Sequence, residues 1–333
     1  MNRRSFLIIQ TAFIGDVVLA TALVEKLHQY YPDSTIDFLL RKGNEGLLKA
    51  HPYLRDVLIW DKKKDKQKNL FGLLKKIRSN KYDIVINVQR FAATGMLTAF
   101  SGAGETIGFN KNPLSFLFTH RVRHIVSTPD RPLHEIQRNQ KLIEKITDAI
   151  PEKPRLYPSA ADRRKVAQYK QAMYICVAPA SVWYTKQFPA EKWISFIKKI
   201  PSGISVYLLG APGDADLCEQ IMIGSAAGER VANLAGKLGF LESAALQEGA
   251  IMSYVNDSAP MHFASAMNAP VTAVYCSTLP SFGFGPLSDK SNIVEVKEKL
   301  SCRPCGLHGR KACPLKHFDC AMKITDEQLL GLI

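Results

Sequence analysis

No run of about 18 apolar residues occurs in this 333-residue chain, so no stretch has the length and character of a membrane-crossing helix. A glycine loop ending in a Walker lysine is absent, and so is a complete Gly-x-Gly-x-x-Gly. A P-loop NTPase and a standard dinucleotide oxidoreductase are therefore disfavoured. There is no low-complexity tract and no close internal repeat. Aromatic residues are not interleaved with basic ones as in a base-stacking platform, which speaks against a nucleic-acid-binding module. Cysteine is sparse, with seven residues. The opening Met1-Asn2-Arg3-Arg4 and Ser5 to Ile9 imitate a signal peptide. However, Gln10 and Thr11 interrupt the apolar run, and Gly15-Asp16 stands where a small-residue cleavage site is needed. A first β-strand and a cytoplasmic location are expected instead.

What is present is an ordinary soluble composition, 46% apolar and 22% charged, at a length that suits two domains. The formal charge of +14 is uneven: residues 1–150 carry 24 Lys/Arg against 14 Asp/Glu, and residues 151–333 carry 20 against 16. Such an excess in the first half suits an anionic partner. Much of it lies in Lys62-Lys63-Lys64, Lys66, Lys68, Lys75, Lys76, Arg78 and Lys81, which a solvated loop and helix face explains equally well.

Apolar runs alternate with helical spacing. Strands are expected at Phe6 to Gln10, Thr35 to Leu40, around Val57 to Ile59, and at Tyr82 to Val88. Helices are expected from Val17 to Tyr30 and from Leu70 to Ile77. Pro151, Pro154 and Pro158 break the pattern and mark a linker. The alternation then resumes with strand Tyr174 to Ala178, helix Ala190 to Ile200, strand Ser205 to Leu209 and a helix from Asp214. This is an α/β class chain of two Rossmann-like domains, 1–155 and 156–333.

Ligands of open parallel sheets bind beyond the carboxyl ends of the strands, and four segments fall there. Asp16, after the first strand, is either a helix cap or a general base for an attacking hydroxyl. The loop Ala178 to Pro189 carries Ser181 and Lys186, groups able to hold a diphosphate and steady a leaving group. Gly210-Ala211-Pro212-Gly213-Asp214 is either a plain turn or a ribose contact through Asp214. In Asn256-Asp257-Ser258-Ala259-Pro260-Met261-His262, Asp257 and Ser258 are good helix caps and Pro260 suits the first turn. That helix start suits a phosphate, with His262 adding a donor.

These motifs, in this order and over nearly the whole chain, resemble bacterial glycosyltransferase family 9, the ADP-heptose–lipopolysaccharide heptosyltransferases. The tail Cys302-x-x-Cys305 to Cys313-Pro314-Leu315-x-His317-x-x-Cys320 is most similar to the heptosyltransferase II branch. The resemblance implies a GT-B fold, two Rossmann-like domains facing a central cleft, with acceptor bound by the first domain and ADP-heptose mainly by the second. It implies inverting transfer without a metal or other cofactor. Asp16 would be the base and Lys186, with Ser181, would contact the donor phosphates. Asp257, Ser258, Ala259 and His262 would line the sugar and diphosphate, Leu238 would pack on adenine, and Asp214 is a weaker ribose candidate. The acceptor would be lipid A–core at the cytoplasmic face of the inner membrane, reached by peripheral, salt-sensitive attachment to an anionic surface. Nucleic acid is not an expected partner. Alternatives are a family member using another nucleotide sugar, a non-catalytic sugar-nucleotide binder, and a basic nucleic-acid-binding protein with a zinc-stapled tail.

Two departures from the family pattern stand out. Ala259 takes a position usually held by glycine, and Val182-Trp183 precede Lys186 where hydroxyl or charged residues are common. Cys176, Cys218 and Cys276 are expected to be buried as small hydrophobes. The four tail cysteines with His317 have a spacing compatible either with structural zinc or with reduced thiols.

Overall fold

The computed structural model describes residues 4–332. Met1 to Arg3 of the signal-peptide-like opening, the side chain of Lys66 in the basic run, and Ile333 lie outside the described residues. The chain forms two compact units, 1–127 with 133–157 and 128–132 with 158–333.

The first unit holds strands β1 (Ser5–Ile9), β2 (Thr35–Arg41), β3 (Leu54–Trp60), β4 (Ile84–Asn87), β5 (Glu105–Phe109) and β6 (His120–Val122). Its helices are α1 (Ile14–Tyr30), α2 (Lys66–Asn80), α3 (Ala92–Ala99) and α4 (Glu135–Gln140). The sheet is parallel in the order β3-β2-β1-β4-β5-β6, with Phe6 level with both Ile36 and Ile84. Parallel strands covered on both faces read as continuous apolar runs, and Phe6 to Ile9 and Ile84 to Ile86 are almost wholly buried. Leu70, Leu73 and Ile77 turn one face of α2 onto Leu7, Ile9, Leu39 and Val85. Lys68, Lys75, Lys76 and Arg78 are exposed. That part of the basic run is a solvated helix face.

The second unit holds α5 (Ala160–Val166), β7 (Tyr174–Ala178), α6 (Ala190–Lys198), β8 (Ser205–Leu208), α7 (Ala215–Ser225) and β9 (Val231–Asn233). Then follow α8 (Phe240–Glu248), β10 (Met252–Asn256), α9 (Ala259–Ala266), β11 (Val271–Tyr275), β12 (Ser291–Glu295), α10 (Asp319–Met322) and α11 (Asp326–Leu330). The order β12-β11-β10-β7-β8-β9 repeats the connectivity of the first sheet. Trp193, Phe196 and Ile197 of α6 pack one face of this sheet together with Ile324 and Leu329 from the tail. The Tyr254 hydroxyl donates to the Leu329 carbonyl at 3.0 Å. In both sheets the connections run outward in opposite directions from one central strand pair, β1 with β4 and β7 with β10. That reversal is the topological switch point, where open α/β sheets take their ligands.

Candidate functional site

In the first unit the chain leaves β1 through Gln10 to Phe13 and enters α1. Asp16 is the third residue of that helix, and its Oδ2 accepts the Phe13 N–H at 3.2 Å. Phe13 is thus the cap residue and Asp16 serves the helix start from inside the first turn, which corrects the expected cap position; that bond does not exhaust the group. Burial, then the negative charge of Glu135, push the Asp16 carboxyl up to about 6, against hydrogen bonds from Phe13 and its own N–H and the charge of Arg138. Glu135 is itself raised by burial and is paired with the Arg138 guanidinium, which also donates to the Ile125 carbonyl at 3.2 Å. The His124 Nδ1 is buried with no partner. Burial and the charges of Arg138, Lys111 and Arg90 hold this imidazole down to about 4, so it is neutral at ordinary pH.

The floor of this edge is polar and tightly fitted. Gln10 and Gln89, following β1 and β4, hydrogen-bond to each other. The Asn112 amide donates to the carbonyls of Gln89 and Phe91, both at 3.0 Å, and a Cβ on Gly95 would lie 2.2 Å from Asn112 Oδ1. Lys62, counted in the basic run, donates to the Thr11 carbonyl at 2.8 Å. Sequence reasoning singled out Asp16 as a candidate and did not single out Glu135, Arg138 or His124, whose charges and burial are coupled through Arg138. Single charges on or beside short elements leave no periodic signal.

In the second unit Lys186, in the loop after β7, meets Asp257, in the turn after β10. The Nζ to Oδ2 distance is 2.7 Å, with the two side chains only 16% and 10% exposed. The Thr278 hydroxyl donates to the same Oδ2 at 2.7 Å. Asn256 staples the loop to the sheet: its Oδ1 accepts the Phe188 N–H at 2.9 Å and its Nδ2 donates to the Pro179 carbonyl at 2.7 Å. Gln187 Nε2 donates to the Ser181 carbonyl at 2.6 Å, folding Ser181 back over the loop that carries Lys186. Of the two residues expected to cap α9, Ser258 is the cap residue, though its side chain makes no cap bond and its hydroxyl turns to the Asn256 carbonyl at 3.4 Å. Asp257 is not a cap, because it is engaged by Lys186 and Thr278. Ala259 and Pro260 open the helix, and His262 is buried within it.

Asp214 Oδ2 accepts the Ala211 N–H at 2.8 Å, so its carboxylate closes its own turn, the plainer of the two readings. A Cβ on Gly236, whose φ is +74°, would lie 2.9 Å from Pro212 Cα, and the Gly236 N–H reaches the Gly210 carbonyl at 2.9 Å. The two loops thus pack edge to edge, with Leu238 half-buried against the core beneath.

Cys176, Cys218 and Cys276 are buried. Cys302, Cys305, Cys313 and Cys320 line one cavity of about 230 Å³ together with His317 and Thr185. Among the described residues no group of three or more His, Cys, Asp or Glu stands where it could hold a metal ion. Burial raises Cys305 and lifts Cys320 to about 12, neighbouring thiols adding to both, so these groups are protonated at ordinary pH. His317 accepts the Asp319 N–H at 3.0 Å and lies 3.1 Å from its carboxylate.

Among known proteins, the profile of Glycosyltransferase family 9 (heptosyltransferase) matches residues 70–316. Lipopolysaccharide heptosyltransferase 3 of Escherichia coli K12 is 28% identical over 283 residues, covering 79% of this chain and 80% of that protein. A family 9 glycosyl transferase from Veillonella parvula superposes with a TM-score of 0.84 at 20% identity, covering 100% of this chain and 96% of its own. The ADP-heptose lps heptosyltransferase II of E. coli superposes with a TM-score of 0.78 at 21% identity, over 98% and 97%. The last two likenesses speak to the fold.

Proposed function

The chain belongs to glycosyltransferase family 9, the heptosyltransferases, and is a glycosyltransferase of the two-domain GT-B class; from that premise we propose that it moves heptose from ADP-heptose onto the inner core of lipopolysaccharide. The observation that carries this reading is the Lys186–Asp257 pair at the switch point of the second sheet. A lysine held there by a carboxylate is a cation that an arriving diphosphate can share. The relative named for heptosyltransferase 3 supports the sugar and the acceptor class.

In the proposed reaction the Asp16 carboxylate takes the proton of an acceptor hydroxyl as its oxygen attacks the anomeric carbon. The bond from that carbon to the ADP oxygen breaks, and one displacement inverts the centre. Lys186 and the start of α9 meet the charge growing on the departing diphosphate, so the step requires no metal. A carboxyl lifted to about 6 is well matched to its task, being ionised at neutral pH yet basic enough to accept a proton. Ser181 joins Lys186 on the phosphates. Asp257, Ser258, Ala259 and His262 line the sugar and diphosphate, Leu238 meets adenine, and Asp214 is a ribose contact only if its turn hydrogen bond is shared. The first unit, 1–155 in outline, takes the acceptor and the second, 156–333, the donor. Peripheral attachment to an anionic inner-membrane surface is proposed from the positive excess of residues 1–150. The tail cysteines favour addition of the second heptose.

A thermal-shift series with nucleotide sugars tests the donor. At about 100 times its dissociation constant, ADP-heptose is expected to add about 2.7 kcal/mol of stability, and UDP or GDP sugars none. Equal stabilisation by UDP sugars would move the donor to another nucleotide. ADP release is expected with a core acceptor bearing one heptose, and release only with a longer core would reassign the position.

A further inference from the structure

The tail loop from Ser301 to Phe318 is not a passive cover over the cysteine cavity. Arg303, 9% exposed at its side chain, fans across the carboxyl end of β11. Its Nε donates to the Cys276 carbonyl and its Nη2 to that of Thr278, both at 2.8 Å. Thr278 is the residue whose hydroxyl holds Asp257. The Cys305 N–H donates to the Ser277 carbonyl at 2.9 Å, and the Ser277 hydroxyl in turn donates to Thr185 Oγ1 at 3.0 Å.

Thr185, 1% exposed and immediately before Lys186, is tied to the tail twice more. Its Oγ1 accepts the Arg310 N–H at 2.7 Å, and its own N–H donates to the Arg310 carbonyl at 3.1 Å. Next to that bridge Gly309 has φ +77°, and a Cβ there would lie 2.9 Å from Lys186 Cγ and 3.0 Å from Thr185 Oγ1. Both members of the Lys186–Asp257 pair are therefore braced by the same loop, the lysine through Thr185 and Gly309 and the aspartate through Thr278 and Arg303.

We propose that this cysteine-rich loop is a clamp that sets the position of Lys186, with Thr185 and Gly309 as positioning residues for the leaving diphosphate. A lysine stem has four rotatable bonds, and left free it would spend most of its time away from one point. The Thr185–Arg310 bridge fixes the backbone from which the stem starts, and Gly309 lets the tail lie flat against its first methylenes. The proposal rests on the reading of Lys186 as the diphosphate ligand.

The test combines turnover with a double-mutant cycle read as ADP affinity by calorimetry. Thr185→Val removes the acceptor for Ser277 and Arg310 while keeping the volume. It is expected to lower turnover by about tenfold to a hundredfold, and Thr185→Ser to restore most of it. ADP affinity is expected to fall with Thr185→Val alone, but to show little further loss when Thr185→Val is added to Lys186→Ala. An undiminished loss in the Lys186→Ala background, or a Thr185→Ser enzyme no better than the valine one, overturns the clamp. Lys186→Ala with unchanged ADP affinity and turnover overturns the reading of Lys186 itself. Should Thr185→Val fail to fold, Gly309→Ala is read in the same cycle, since its Cβ meets the lysine stem directly.

Discussion

Asp16 and Asp257 stand at the carboxyl edges of two sheets with the same connectivity, yet they are compensated in opposite ways. Asp257 receives an ammonium and a hydroxyl on one oxygen, each at 2.7 Å. Asp16 receives the Phe13 N–H, while a second acidic group, Glu135, is the largest charge acting on it. The first arrangement holds a cation in place. The second stores a tendency to take up a proton. Two carboxylates made different by their surroundings are the usual mark of an acid–base site, which agrees with the proposal that proton transfer belongs to the first unit and anion handling to the second.

Asp16→Asn breaks the comparison at its strongest point. The amide keeps an oxygen for the Phe13 N–H but cannot act as a base, so turnover is expected to fall by about 10²- to 10⁴-fold with ADP affinity unchanged. Turnover like the wild type's would remove Asp16 from the chemistry. The same substitution is expected to raise the melting temperature at neutral pH. A folded-state pKa of about 6 lies above the ordinary 3.8. Stability linked to this group is thus full below pH 3.8 and is lost as pH rises through 6. The asparagine enzyme escapes that loss, a gain of up to roughly 3 kcal/mol near neutrality.

Asp257→Asn should do the reverse on stability. It leaves the Lys186 ammonium half-buried without its charge partner, a cost of about 1–3 kcal/mol by thermal or denaturant unfolding, with turnover down about tenfold. A stabilised Asp257→Asn protein would erase the distinction between the two carboxylates. The smallest effect concerns pH. The wild-type kcat/KM is expected to decline below about pH 6 as Asp16 protonates. In Glu135→Gln, where a neighbouring negative charge is gone, that decline should begin at a lower pH. A profile that stays put, or moves upward, would show that Glu135 does not tune the base.

The parallel sheets were legible because β1, β2, β3, β4, β7 and β8 contain apolar runs with helical spacing between several of them. β6 and β9, three residues each, carry too little pattern to stand out. At the site, Asp16 and Lys186 could be named because each follows a strand that the pattern reveals, and Asp257 because it stands among helix-capping residues; β10, which leads into it, was not among the expected strands. Their pairing could not, since Lys186 and Asp257 lie 71 residues apart in the chain and meet only because β10 is laid beside β7. Local preference misjudged Asp257 as a helix cap for the same reason: a good capping residue was claimed by a partner distant in sequence. Nor did any spacing announce Glu135 or the bridge between Thr185 and Arg310, in which three of the four bonding atoms are backbone.

The reversal of connections between β7 and β10 also bears on how such an enzyme changes over generations. Ser181, Val182 and Ser258 stand on turns at the strand ends, outside the packed interior, and Val182 is 80% exposed. Replacing them removes no atoms from the core, so, if these turns hold the donor as proposed, a new donor preference can be tried there with little danger to folding. Asn256, wholly buried and bonded to both ends of the loop after β7, has no such liberty. A library that randomises the turn while holding Asn256 constant would explore sugars without first having to repair the scaffold.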